Sequence, residues 1–344
     1  MVPLITTIGT VRKYLKVSFV NANAMLPDFE GVQKKYIVPI LGKDLYNTIE
    51  SEATTNPSEP SDLLKLVLRA VAPLGYFSDL AMVSTQITDM GVGTVSSEHF
   101  VNAQRWQFLQ LKENLEDKGC AALEELITWL YEDSATEDIT WTVSDGFNTI
   151  IKTGKEYNQY FTIYQPYRTF ESLRPIVKKI EDEEVRPLIG DTFFEYLRDN
   201  TEPSADEKTI IQLIKKAIAY LTIKSASELL PVRISADGFT VLLTHNPDAN
   251  NQGHQQAPAV QMSVLATRCE ESGRGYLQTL IDTLNTKAST ELFPTFFASS
   301  YYTAPKVAGN NDCKDGSGRY METDYDRELR LREEHNSRYN TFVL

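Results

Sequence analysis

The sequence predicts a mainly α-helical protein: two tandem helical-bundle repeats, each with a small β-hairpin, followed by an extended C-terminal tail. Three observations predict it. Apolar residues recur at helical spacing in several long stretches, and one ordered set of motifs occurs twice, about 147 residues apart. Residues 291–344 lack the periodic apolar content needed to build a core of their own.

The duplication is visible residue by residue. At a shift of 148, Pro39, Ile40, Leu41 and Gly42 fall on Pro187, Leu188, Ile189 and Gly190. At a shift of 147, LLKLVLRAVAPL (Leu63 to Leu74) falls on IIQLIKKAIAYL (Ile210 to Leu221), and ITDMGV (Ile87 to Val92) on ISADGF (Ile234 to Phe239). Tyr14 to Val17 match Tyr160 to Ile163 at 146, and GCAALEELITWL (Gly119 to Leu130) matches GRGYLQTLIDTL (Gly273 to Leu284) at 154. A single helical match would mean little, because all amphipathic helices share an apolar rhythm. Five in one order, with shifts differing by loop-sized amounts, point to a copied unit. The expected boundaries are residues 1–135, 136–290 and a tail over 291–344. The polar stretch His245 to Ala259 accounts for the jump to 154 as an enlarged surface loop.

Pro39 and Pro187 stand just ahead of Gly42 and Gly190, which interrupt a helix, and helical spacing resumes at Leu45, Tyr46 and Ile49, as at Phe193, Phe194 and Leu197. The four are expected to form a structural corner between packed helices. The next helix presents Leu63, Leu66, Val67, Ala70, Val71 and Leu74 on one face, and Ile210, Leu213, Ile214, Ala217, Ile218 and Leu221 repeat that spacing. Both helices are preceded by Glu-Pro-Ser, a capping signal that Glu207 completes as a Ser-x-x-Glu box in the second copy. Pro73 predicts a kink or an early end in the first copy. Short β-prone runs around Gly91 and Gly238 predict hairpins turning at those glycines. A third helix carries Leu123, Leu126, Ile127 and Leu130, matched by Leu277, Leu280, Ile281 and Leu284, with ESGRG (Glu271 to Gly275) as a turn between helices.

Little in the chain suggests chemistry. Its 344 residues, 42% hydrophobic, suffice for two domains, and no apolar run approaches the ~18 residues that span a bilayer. Met1 to Leu15 lacks a secretion signal's apolar segment and cleavage site, so the chain is expected to stay where it is made, in a cytoplasm. A net charge of -13 argues against broad capture of nucleic acid. Cys120, Cys269 and Cys313 fit neither a disulfide framework nor a zinc site, and His99, His245, His254 and His335 show no ligand spacing. The pairs Glu124 and Glu125, and Glu183 and Glu184, read as solvated helix faces, and Gly91 to Ser97 lacks the lysine of a phosphate loop. No enzymatic activity, cofactor or metal is expected.

In the second copy, FNTIIKTGKEYNQYFTIYQPYRTFESLRPIVKKIEDEEVRPLIG resembles a family of proteins from phages and prophages of Bacteroidales, including crAss-like phages. The similarity rests on Tyr157, Tyr160, Phe161, Phe170, Leu173, Pro175 and Gly190, which are packing residues. The first copy departs from it, with VNANAMLPDFEGV in place of YRTFESLRPIV. The resemblance implies a head-tail connector adaptor: a virion protein at the junction of portal and tail, assembled in the host cytoplasm. Its partners would be its own copies in a ring, the portal protein and downstream tail or ring proteins, with DNA only as passing cargo and no membrane. Twelvefold symmetry is the expectation for the ring, although no residue sets it. The tail's Phe296, Phe297, Tyr301, Tyr302, Arg327, Arg330 and Arg332 would thread into a partner. A cytoplasmic tandem-helical scaffold or regulatory protein without catalytic activity is the alternative.

Overall fold

Two successive helical cores organise the computed structural model, which describes residues 2–16, 26–55, 59–88, 91–94, 104–132, 139–144, 146–229, 232–235, 238–241 and 259–304. The chain through Tyr302 forms one compact unit.

The first core begins with α1 (Ile8–Tyr14), whose N-cap Thr7 accepts a hydrogen bond from the Thr10 N–H at 3.2 Å. Asp28 caps α2 (Phe29–Val32), which passes through a π-helical turn (Gln33–Ile37) into α3 (Val38–Leu41). Gly42, at φ 77, then redirects the chain into α4 (Lys43–Thr55). In that left-handed region a side chain is strained, so glycine suits the corner. Helix α5 (Asp62–Ser84) is capped by Ser61, whose Oγ accepts from the Leu64 N–H at 3.2 Å. It leads to β1 (Thr85–Thr88), antiparallel to β2 (Gly91–Thr94), and then to α6 (Arg105–Glu132).

The second core begins at Ile150. Thr153 caps α7 (Gly154–Tyr157), and α8 (Pro166–Ile180) runs through a π-helical turn (Glu181–Val185) into α9 (Arg186–Ile189). Gly190, at φ 84, turns the chain into α10 (Asp191–Asp199). Ahead of α11 (Ala205–Leu229), the Ser204 Oγ accepts from the Glu207 N–H at 3.3 Å, and Glu207 Oε2 accepts from the Ser204 N–H at 2.7 Å. Strands β3 (Val232–Ser235) and β4 (Gly238–Val241) pair antiparallel, followed by α12 (Ala259–Lys287) and α13 (Pro294–Phe297).

The apolar stripes lie where burial repays them. Leu63, Val67, Ala70, Val71 and Leu74 of α5 are buried with Leu123, Leu126, Ile127 and Leu130 of α6, under Ile40, Tyr46 and Ile49. Ile210, Ile214, Ala217, Ile218 and Leu221 of α11 do the same with Leu277, Leu280 and Leu284 of α12, under Phe193, Phe194 and Leu197. Each large side chain so buried contributes about 1.5–3 kcal/mol. Close approach of the paired helices depends on Gly119, where an added Cβ would stand 2.5 Å from Leu74 Cδ2, and on Gly273, where it would stand 2.6 Å from Leu221 Cγ. Gly75 leaves room for the Phe29 ring, whereas the second core has Thr222 and Val177 at the positions 147 and 148 residues on.

Several expectations need correction. Helix α5 does not end early at Pro73, which lies inside it between the buried Ala72 and Leu74. Glu271 to Gly275 form no turn and lie inside α12. Gly91 and Gly238 each open the returning strand of a hairpin, paired with Thr88 and Ser235. By its sequence the stretch after residue 290 is open to lying back over the helices or reaching a neighbour, and at its start it lies back, with Phe293 and Phe296 buried in the second core. The loop His245 to Pro258 lies outside the described residues.

The first core is closed in a comparable way by the chain following its own third helix. There the Trp141 indole N–H donates to the Ile40 carbonyl at 2.9 Å, the Ser144 hydroxyl donates to the Pro39 carbonyl at 3.2 Å, and Tyr131 meets Trp141 edge-on at 4.9 Å. In the second core the Tyr301 ring lies against Gly190.

Candidate interaction site

The beginnings of α6 and α12 combine two properties that seldom coincide on a solvated surface. Neither Gln104 to Lys112 nor Val260 to Cys269 contains a carboxylate, in a chain with 47 of them. Both expose large apolar side chains: Trp106, Leu109 and Leu111 on α6, and Val260, Val264 and Leu265 on α12. Trp106 is 53% and Val260 75% exposed. At the 100° step of a helix, Trp106 and Leu109 share one side while Leu111 projects from another, and Val260 and Val264 stand likewise to Leu265. A helix apolar on more than one side is normally covered. Loss of charge with gain of apolar and aromatic residues is also the signature of an interface core. At the shift of 154, Trp106 corresponds to Val260 and Leu111 to Leu265. Sequence reasoning missed this site, although the absence of Asp and Glu from both stretches was visible.

The residues expected to bind partners are dispersed. Phe296 is fully buried, tilted against Phe193 at 5.6 Å and edge-on to Tyr302 at 6.3 Å, so it is a core residue and not a contact. Phe297 and Tyr302 are half-buried and pack on each other at 4.7 Å, while Tyr301 remains exposed. Arg327, Arg330 and Arg332 lie outside the described residues, as do all four histidines. Pro39 and Pro187 stand near the start of α3 and α9, each followed by its glycine corner.

A second polar site joins the two cores. From α6, Glu116 takes the Arg168 guanidinium at 2.9 Å, Asp117 takes the Gln165 amide at 2.7 Å, and Glu124 takes the Lys155 N–H. Glu124 is therefore not on a solvated face, and its burial there raises its carboxyl above the usual range. Glu125 pairs with Arg69 at 2.9 Å. The Arg174 guanidinium lies over both the Phe147 and the Phe170 rings, 4.5 and 4.6 Å from their centroids. A groove of about 450 Å³ runs along this junction past Asp117, Cys120 and Tyr167. Burial pushes the Cys120 thiol up to about 11, which keeps it out of the reactive thiolate form at neutral pH. Among the described residues, no three His, Cys, Asp or Glu are placed to hold a metal ion. Nor, among them, is any helix long and apolar enough to cross a membrane.

The model of the DUF6712 family, a family of unknown function, matches residues 37–146 and 185–306. The chain belongs to that family. No curated protein and no solved structure matches it. In this DUF6712 chain, each matched stretch contains one of the two exposed apolar helix beginnings, whereas Lys155, Gln165, Arg168 and Arg174 of the junction lie between the stretches.

Proposed function

We propose that this DUF6712 chain is a structural virion protein, a ring subunit of the head-tail connector that docks on the portal of a tailed phage, built from a duplicated helical unit with one hairpin in each copy. The carrying observation is the pair of equivalent, carboxylate-free apolar helix beginnings on α6 and α12, which a self-assembling protein would cover with neighbouring molecules. Duplication is supported by the two π-helical turns 148 residues apart, the two positive-φ glycines and the paired Gly119–Leu74 and Gly273–Leu221 approaches. The matched family stretches also begin 148 residues apart, at 37 and 185. Similarity of the Tyr157 to Gly190 segment to phage connector adaptors supplies the connector itself. Cyclic rings use heterologous contacts, and two non-identical copies in one chain supply two different faces.

Sedimentation of the full chain, alone and with its portal protein, tests this. A ring subunit gives a large oligomer that grows with concentration or a stable complex with the portal, and the mass at saturation reads the symmetry against the expected twelve. Trp106→Glu and Val260→Glu should each weaken that assembly while leaving the thermal midpoint unchanged. A chain that stays monomeric or dimeric and ignores the portal favours a cytoplasmic scaffold and overturns the proposal.

A further inference from the structure

The junction between the two cores has two sides, and each side has an exposed counterpart elsewhere in the chain. On the α6 side, Asp117, Cys120 and Glu124 are partly buried by the second core, but their equivalents 154 residues on, Glu271, Arg274 and Gln278 of α12, are exposed. On the other side, Thr153 is buried against α6, whereas its equivalent 146 residues earlier, Thr7, is exposed, although each caps its helix in the same way. One unit therefore has an unfilled socket and the other an unfilled plug. Such uncovered ends are what a head-to-tail arrangement leaves when it stops after two units.

The two uncovered faces also differ in sign. The α1 side exposes Arg12, Lys13 and Lys16, while the α12 side carries Glu270, Glu271 and Asp282 around Arg274. Arg274 is itself held by Glu270 at 3.1 Å. Within the chain, Gln159 and Thr128 line one cleft at the end of the junction. Their equivalents on the free faces are Lys13, 146 residues before Gln159, and Asp282, 154 residues after Thr128. Both are exposed, and they form a neutral pair's replacement by opposite charges.

We infer that the outward face of α12, from Glu271 to Asp282, receives the α1 region of a second copy, so that the junction inside one chain is repeated between chains with Lys13 set opposite Asp282. The contact is heterologous, and its repetition closes a ring or extends a filament according to the rotation per step. It rests on the self-assembly proposed above and adds the surface and its register.

A charge exchange in the full-length chain tests it by sedimentation equilibrium. Lys13→Glu and Asp282→Lys should each raise the dissociation constant of self-association by about tenfold, and the double variant should restore it to within about threefold. Thermal midpoints of all three should match the parent, since both positions are exposed. If the parent chain assembles but either single variant does so equally well, or the double variant stays as weak as the singles, the surface is wrong and self-assembly stands. A parent chain that stays monomeric at every concentration and with the portal overturns both.

Discussion

Leu74 lies so close to Gly119 that a Cβ on the glycine would stand 2.5 Å from Leu74 Cδ2, and Leu221 stands to Gly273 in the same way. Replacing either glycine by valine forces apart a fully packed helix pair, which costs about 1–3 kcal/mol despite the better helix propensity. Leu74→Ala alone should cost about 2–5 kcal/mol through the cavity it leaves. Urea denaturation should show the Gly119→Val, Leu74→Ala double variant to be less destabilised than the sum, because each change relieves the other.

The two glycine corners should respond unequally. Alanine at φ 77 or 84 is strained by about 1–3 kcal/mol at either position. At Gly42 the added methyl meets nothing within 4 Å, but at Gly190 it stands 2.8 Å from the Tyr301 ring. Gly190→Ala should therefore lower stability more than Gly42→Ala in denaturant titrations, and adding Tyr301→Ala should remove most of the difference.

Glu181 opens the second π-helical turn almost fully buried, with its carboxylate accepting from the Ile150 N–H at 2.7 Å. Burial raises its carboxyl from 4.5 to about 7, against the pull of that hydrogen bond and of Lys152. The folded state thus holds more protons than the unfolded chain between those values, and this group's contribution to stability falls as pH rises from about 4.5 through about 7. Glu181→Gln keeps an acceptor for Ile150 and removes the charge, as Gln33 does at the start of the first π turn. Its thermal midpoint should exceed the parent's at pH 8, by the equivalent of about 1–2 kcal/mol, and the two should converge near pH 4.

Arg174 bridges the two cores by lying over one ring from each, Phe147 and Phe170. An ammonium cannot stack on Phe147 and Phe170 while also reaching Glu171 with two N–H groups, so Arg174→Lys should cost about 1–2 kcal/mol in urea denaturation. Arg174→Ala should cost more, and in a Phe147→Ala background its additional cost should shrink.

The helical cores were legible because a 3.6-residue period is a property of sequence, and the residues from Leu63 to Leu74 and from Ile210 to Leu221 declare it without outside help. The Glu207 box and the glycine corners were legible for the same local reason. What escaped depends on partners distant in the chain. Phe296 sits in a Pro-punctuated aromatic stretch, and only the vacancy above Phe193 turns it from a surface residue into a core one. Glu124 looks like any carboxylate on a helix until the Lys155 N–H arrives from 31 residues away. The exposed helix beginnings were missed for a different reason. Their signal is the lack of Asp and Glu, which periodicity does not measure.

The Trp141 segment has a consequence for how such a chain lengthens. Because the strap over the first corner comes from the residues just past α6, that core is sealed before Ile150 begins the next. A further helical unit fastened in the same way would thus ask no settled interior to repack. Added length would then leave the solidity of the units already in place unchanged.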